Sequence, residues 1–179
     1  YLNRQIITLL STLGVEDQLF ETIQEERITV LNGLLNERFS AVEAIQASYA
    51  GECHKVVVEM LLAGYSPNCE PFLSSMLQAF KAAQFYQICK RSRIFVPKGR
   101  VLMGCLDETA DLAYGEVFIQ VSASDGSLSV IQGNVVVAKN PCLHPGDVRV
   151  LTAVDSPNLQ HMVDCIVFPQ NGNRCVFHI

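Results

Sequence analysis

The sequence predicts an α+β chain, with its helices gathered first and its strands second. Three observations carry this. The hydrophobic period changes from 3.6 residues to 2 near residue 92. Turn residues become closely spaced beyond that point. The composition, 49% hydrophobic and 17% charged, is that of a chain that buries a core. The reading is therefore a helical segment over 1–92 followed by an all-β module over 93–179, and 179 residues suffice for one good core or two small ones.

In the first segment, Ile6, Ile7, Leu9, Leu10 and Leu13 predict a buried helix from Asn3 to about Ser11, ended by Gly14. A second helix is expected over about 16–35. Leu19, Phe20, Ile23, Val30, Leu31 and Leu34 form its inner face, and Glu21, Glu25, Glu26 and Arg27 its outer one. Ser40 followed by Glu43 has the spacing of a capping box for a short helix toward Ala50, and a further helix is expected from Cys53 to Ala63 with Gly64 as its stop. Pro71, behind Glu70, suits the first position of a helix reaching Lys90, with Phe72, Leu73, Met76, Leu77, Phe80 and Ala83 at core spacing.

Beyond Arg91 the alternating stretches 94–96, 101–103, 116–121, 128–131, 135–139, 148–154 and 162–168 read as strands. Pro97-Lys-Gly, Ser124-Asp-Gly, Gly133-Asn and Ser156-Pro-Asn separate them as turns. So many strands in so short a span point to a small barrel or sandwich. Gly104 and Asp107 read as a turn, with the Asp107 side chain bonding nearby amides.

The net charge of −5 is unevenly placed. Residues 1–89 hold five cations against ten carboxylates, while residues 90–179 hold eight of each. Lys90, Arg91, Arg93, Lys98 and Arg100 form a basic strip with no acid between them, a pattern able to follow a phosphate backbone. Charge alone assigns the strip to a solvated linker, with Lys90 and Arg91 complementing a helix dipole, because an acidic chain is a poor autonomous nucleic-acid binder. Seven well-spread cysteines without a Cys-x-x-Cys pair read as reduced thiols of an intracellular protein, nuclear or cytoplasmic. The spacing of Cys53-His54 with Cys69, or of Cys142 with His144, is poor for zinc, and no metal site is assigned. No apolar run has the ~20 residues of a membrane span. The chain opens on Tyr1 rather than on a methionine, which reads as the mark of a fragment, a processed product or an incomplete gene model.

The stretch with the most chemistry runs from Val135 to Arg149. Three valines form a strand that delivers Lys139 into a loop stiffened by Pro141 and Pro145 and carrying His144, Asp147 and Arg149. Gly146 gives the turn its backbone freedom, and Asp147 and Arg149 are expected to pair. Taken alone, His144 is a loop histidine bonded to backbone and Lys139 a strand-end lysine reaching solvent.

The run Ala-Lys-Asn-Pro-Cys-Leu-His-Pro-Gly-Asp-Val-Arg (138–149) resembles the signature region of the eukaryotic RNA-dependent RNA polymerases of RNA silencing, most closely the plant ones. Further runs match in family order: 2–14, 70–73, 93–100 with 103–109, and 161–169. The resemblance implies that residues 93–170 belong to the second of two double-psi β-barrels and that the helices lie between the barrels. It implies that Lys139 approaches the incoming nucleotide, with Arg149 and His144 as further nucleotide-binding candidates, and the basic strip stands as a candidate RNA-binding surface of the full polymerase. It also implies nucleoside triphosphates, an RNA template, Mg²⁺ and the remainder of the polymerase as partners. The metal-binding Asp-x-Asp-Gly-Asp loop expected after Phe168-Pro169 is absent, since no two aspartates here lie one residue apart. No catalytic residue is assigned, and the chain alone is expected to be inactive. The rival reading is a non-catalytic fragment that binds RNA or a partner chain.

Overall fold

A computed structural model describes residues 1–47, 52–123 and 126–170. The end of the helix expected toward Ala50, the first two residues of the Ser124 turn and everything from Asn171 onward lie outside the described residues. The chain forms two compact units, Tyr1–Gly99 and Arg100–Ile179.

The first unit is helical: α1 (Arg4–Thr12), α2 (Asp17–Gly33), α3 (Arg38–Ala47), α4 (Glu52–Leu62) and α5 (Pro71–Arg91). The Asn3 side chain caps α1 by accepting the Ile6 amide at 2.9 Å, and Glu70 caps α5 by accepting the Leu73 amide. Gly14 and Gly64 follow α1 and α4 with φ of +99° and +97°, conformations that disfavour any residue with a Cβ. The core is one cluster built from Leu31 and Leu34 at the end of α2, Ala41, Ala44 and Ile45 of α3, Val57 and Leu61 of α4, and Leu73, Leu77, Phe80 and Ile88 of α5.

Several expectations change at residue level. The apolar side chains of α1 are only half-buried, and none is fully enclosed. Helix α3 begins at Arg38, so Ser40 sits inside its first turn and cannot cap it. Leu19 and Phe72 are exposed, whereas Arg27, expected on the polar face of α2, is 7% exposed. The inner stripe of α2 runs through Phe20, Arg27, Leu31 and Leu34, and the Arg27 guanidinium lies 4.8 Å from the centre of the Phe95 ring. This contact bears on residues 94–96, which are not a strand. They lie as extended chain on the helical unit, with Ile94 buried, its carbonyl accepting the Leu2 amide at 2.8 Å, and Phe95 edge-on to Tyr1.

The second unit is one connected sheet of six strands: β1 (Met103–Leu106), β2 (Glu116–Ser122), β3 (Leu128–Val130), β4 (Gly133–Ala138), β5 (Val148–Ala153) and β6 (Cys165–Phe168). Its order is β1-β6-β2-β5-β4, with β3 also on β2. The pairs β1–β6 and β2–β5 are parallel and the others antiparallel. Val101 and Leu102 precede the first strand, and Gly104 lies within it rather than in a turn, because its register partner Ile166 holds it in the ladder.

Strand β2 is the hub. Val117 and Ile119 pack on one face with Ala153 and Ile166, and Phe118 packs on the other with Leu112, Leu159, Cys165 and Val167. Burial on both faces accounts for the three consecutive apolar residues Val117, Phe118 and Ile119 within β2. Phe118 is fully enclosed, so Phe118→Ala should lower unfolding free energy by about 3–5 kcal/mol. Urea denaturation followed by circular dichroism measures this, and a loss below that range would mean that the site collapses around the cavity.

Candidate functional site

The polar loop expected from the sequence is the connection 139–147 between antiparallel β4 and β5. The hairpin is in register from Gly133↔Ala153 to Ala138↔Val148, and the Lys139 amide extends it by donating to the Asp147 carbonyl at 3.1 Å. The Asn140–Pro141 peptide is cis, and Pro145–Asp147 form a single 3-10 turn.

His144 and Asp147 cap this turn reciprocally. Nδ1 of His144 accepts the Gly146 amide at 2.9 Å, and Oδ2 of Asp147 accepts the amides of Leu143 and His144 at 3.0 and 3.1 Å. The acceptor role of Nδ1 leaves the proton of the neutral imidazole on Nε2. These amide bonds, the Leu143 one foremost, hold the Asp147 carboxyl below its usual range, with the charge of Lys139 adding to them. Asp147 therefore turns back into its own loop instead of pairing with Arg149. Arg149 stands half-buried on β5 opposite Val137. Beneath the loop Cys142 is 1% exposed, and burial together with the Asp147 charge pushes its thiol pKa up. Lys139 and His144 are exposed. The loop thus presents two basic groups on a frame fixed from within.

The basic strip is divided by the fold. Lys90 and Arg91 end α5, Arg93 and Lys98 follow within the first unit, and Arg100 begins the second. All five are exposed. Lys90 and Arg91 occupy the last turn of α5, where cations complement the carbonyl end of the helix, and the Arg91 guanidinium lies 5.9 Å from the Tyr86 ring centre. Arg100 acts on Asp164, whose carboxylate takes the Ser122 hydroxyl at 2.6 Å and the Ser122 amide at 2.9 Å.

Two further carboxylates are explained by their surroundings. Asp107 is fully enclosed. Burial by itself would raise its pKa, but the Leu112 amide, the Thr109 hydroxyl and the Thr109 amide, at 2.7–2.9 Å, outweigh that and hold it below the ordinary value. Its backbone also closes the β1–β6 end: its amide donates to the Phe168 carbonyl at 2.8 Å, and its carbonyl accepts the Gln170 side-chain amide at 2.6 Å. Asp111 accepts from Ser156 and Asn158. Asp107, Asp147 and Asp164 each already accept at least two hydrogen bonds from nearby donors, and no group of three His, Cys, Asp or Glu side chains able to hold a metal occurs among the described residues. The carboxylates described here do not fit a divalent-metal site. The Cys142–His144 zinc pairing is likewise unsupported, because Cys142 is enclosed and Nδ1 of His144 is already bonded.

Residues 1–178 match the family model described as RNA dependent RNA polymerase. The chain belongs to that family. Among its relatives, a protein named probable RNA-dependent RNA polymerase 1 of Oryza sativa subsp. japonica is 52% identical over 176 residues, which is 97% of this chain and 24% of that protein. RNA-dependent RNA polymerase 6 of Arabidopsis thaliana is 48% identical over 190 residues, 97% of this chain and 16% of that one. A solved structure of the RNA dependent RNA polymerase QDE-1 from Thielavia terrestris shares the fold with a TM-score of 0.66 at 15% identity, covering 96% of this chain and 22% of that one. The chain thus spans a quarter or less of the length of these polymerases. Among the described residues, no helix is long and apolar enough to cross a membrane.

The sequence located the loop but missed the inward turn of Asp147. The spacing that could have revealed it is there, an N-cap residue followed three positions later by a carboxylate, with His144 in place of the usual Ser or Thr. Asp107 yields the prediction for this site. Its folded pKa lies below the ordinary 3.8, so its ionised form stabilises the fold above that value, and the contribution is lost as pH falls through the folded pKa. Asp107→Asn should cost about 1–3 kcal/mol at neutral pH and flatten the acid limb of the stability curve. Denaturant titrations at stepped pH test it, and an unchanged acid limb would exclude Asp107 as its source.

Proposed function

We propose that this chain is part of an RNA-directed RNA polymerase that copies an RNA template into double-stranded RNA for gene silencing, and that its 139–149 hairpin meets the incoming nucleoside triphosphate. The single observation that carries the polymerase reading is the family match along residues 1–178. The hairpin reading rests on the exposed Lys139, which stands at the end of a strand on an internally bonded loop. Lys139 contributes a cation toward the nucleotide's sugar or phosphate, His144 offers its Nε2 proton beside it, and Arg149 lies two residues beyond the turn on β5. The segment over 93–179 is read as part of a double-psi β-barrel, a reading supported by six strands in a mixed sheet with parallel pairs β1–β6 and β2–β5. The helices of 1–92 lie between the two barrels of the whole polymerase in this reading. Mg²⁺ is the metal expected of RNA synthesis, held by residues other than those described here.

In a complete polymerase carrying this segment, Lys139→Ala should raise KM for nucleoside triphosphates about tenfold while changing template affinity little, because one charge at the nucleotide acts mainly on substrate binding. Steady-state kinetics beside an RNA-binding titration decides it, and equal KM values for mutant and parent would remove Lys139 from the site.

The exposed cations Lys90, Arg91, Arg93, Lys98 and Arg100 are proposed to follow RNA phosphates. Neutralising any two should weaken binding of all template sequences alike and lower the slope of log affinity against log salt by about 1–2. A parental slope would return these residues to ordinary solvated surface.

A further inference from the structure

We infer that Asp147 is a positioning residue for Lys139, fixing the backbone from which its side chain departs toward the nucleotide. The inference rests on the nucleotide reading of the hairpin and adds to it the group that sets the hairpin's geometry.

Asp147 fixes the loop at both ends. Its carbonyl accepts the Lys139 amide at 3.1 Å, so the backbone on which the lysine side chain is mounted is bonded directly to Asp147. Its carboxylate takes the amides of Leu143 and His144, which draws the far side of the loop onto the same residue. The His144 carbonyl accepts the Asp147 amide at 2.8 Å, completing a ring of bonds from 139 to 147 that passes through one residue. Charged hydrogen bonds of this kind are stronger than neutral ones. Lys139 itself is exposed, so what the loop fixes is the backbone from which its side chain departs. His144 supports the same turn by accepting the Gly146 amide, but among the described residues only the bonds of Asp147 reach both the Lys139 amide and the far side of the loop.

The test is made in the full polymerase. Asp147→Ala removes both carboxylate bonds and should raise KM for nucleoside triphosphates about tenfold with kcat changed less than about twofold. Asp147→Asn keeps an acceptor oxygen for the amides and should recover most of the parental KM. In a Lys139→Ala background, Asp147→Ala should add less than about a further twofold, since two residues acting through one contact are not additive. An independent readout is alkylation of Cys142, mapped by mass spectrometry. Cys142 is buried within the 139–147 connection, so in Asp147→Ala, which loosens that connection, it should label several-fold faster than in the parent while thiols remote from the loop are unchanged. Additive effects of the two alanine substitutions on KM, or an unchanged Cys142 labelling rate, would overturn the inference. A silent Lys139→Ala with fast Cys142 labelling in Asp147→Ala would overturn the nucleotide reading while upholding Asp147 as the residue that closes the loop. A general rise in labelling at all cysteines would reduce Asp147 to a residue needed for folding.

Discussion

The second unit depends on one constraint: β2 is buried on both faces, so the polar groups of its backbone need partners, most of them from other strands. One edge is taken by β6. The other is shared, with β5 pairing at Glu116 and Val117 and β3 pairing from Gln120 to Ser122. The amides of Thr152, Val154 and Ile131 continue these ladders onto the carbonyls of Gly115, Val117 and Ile119. The adjacent strand β3 and two strands from distant parts of the chain, β5 and β6, are thereby brought to one.

This arrangement places the loop of interest. Strand β5 meets β2 through Thr152 and Ala153, while its other end, Val148, borders the loop. At roughly 3.3 Å per residue the loop stands more than ten ångströms from that junction. The bonds that hold it are local. They are the reciprocal caps of His144 and Asp147, and the enclosed Cys142 fills the space beneath. Electrostatics follow the same division. The carboxylates of Asp107, Asp147 and Asp164 are all directed at nearby amides and hydroxyls, whereas Lys139, His144 and the basic strip are exposed. These acidic groups maintain backbone shape, and these basic groups lie exposed at the surface.

In the helical unit, legibility followed the cost of error. Glycine stops and the N-terminal proline of α5 were readable because their backbone requirements are strict. Which turn of a helix faces the core was less readable, because a 3.6-residue period leaves wide margins for the inner stripe. Leu19 and Phe72 fell outside it, and Arg27 fell inside because its flat guanidinium can lie on Phe95. The Phe95 segment was misread for the same reason: a β-branched, aromatic triplet looks like a strand, yet it lies as extended chain on helices. In the sheet, β2 to β5 were found within a residue or two, since alternation and β-branching are local properties. The last strand proved shorter than expected, because Asp164 takes a positive φ just ahead of it and its carboxylate bonds to Ser122.

By itself, the sequence determined the helical-then-strand order, the loop with its lysine and histidine, and the membership of a polymerase family, because these rest on local patterning and on long matching words. Only the tertiary structure decided that β1 runs parallel to β6 and β5 to β2, that Asp107 is enclosed, and that Asp147 turns inward rather than toward Arg149. The reason is physical. A carboxylate takes whichever donors the fold brings within 3 Å, and donors such as the Leu112 amide for Asp107 or the Ser122 amide for Asp164 are set by how the chain returns on itself, which no window of adjacent residues encodes.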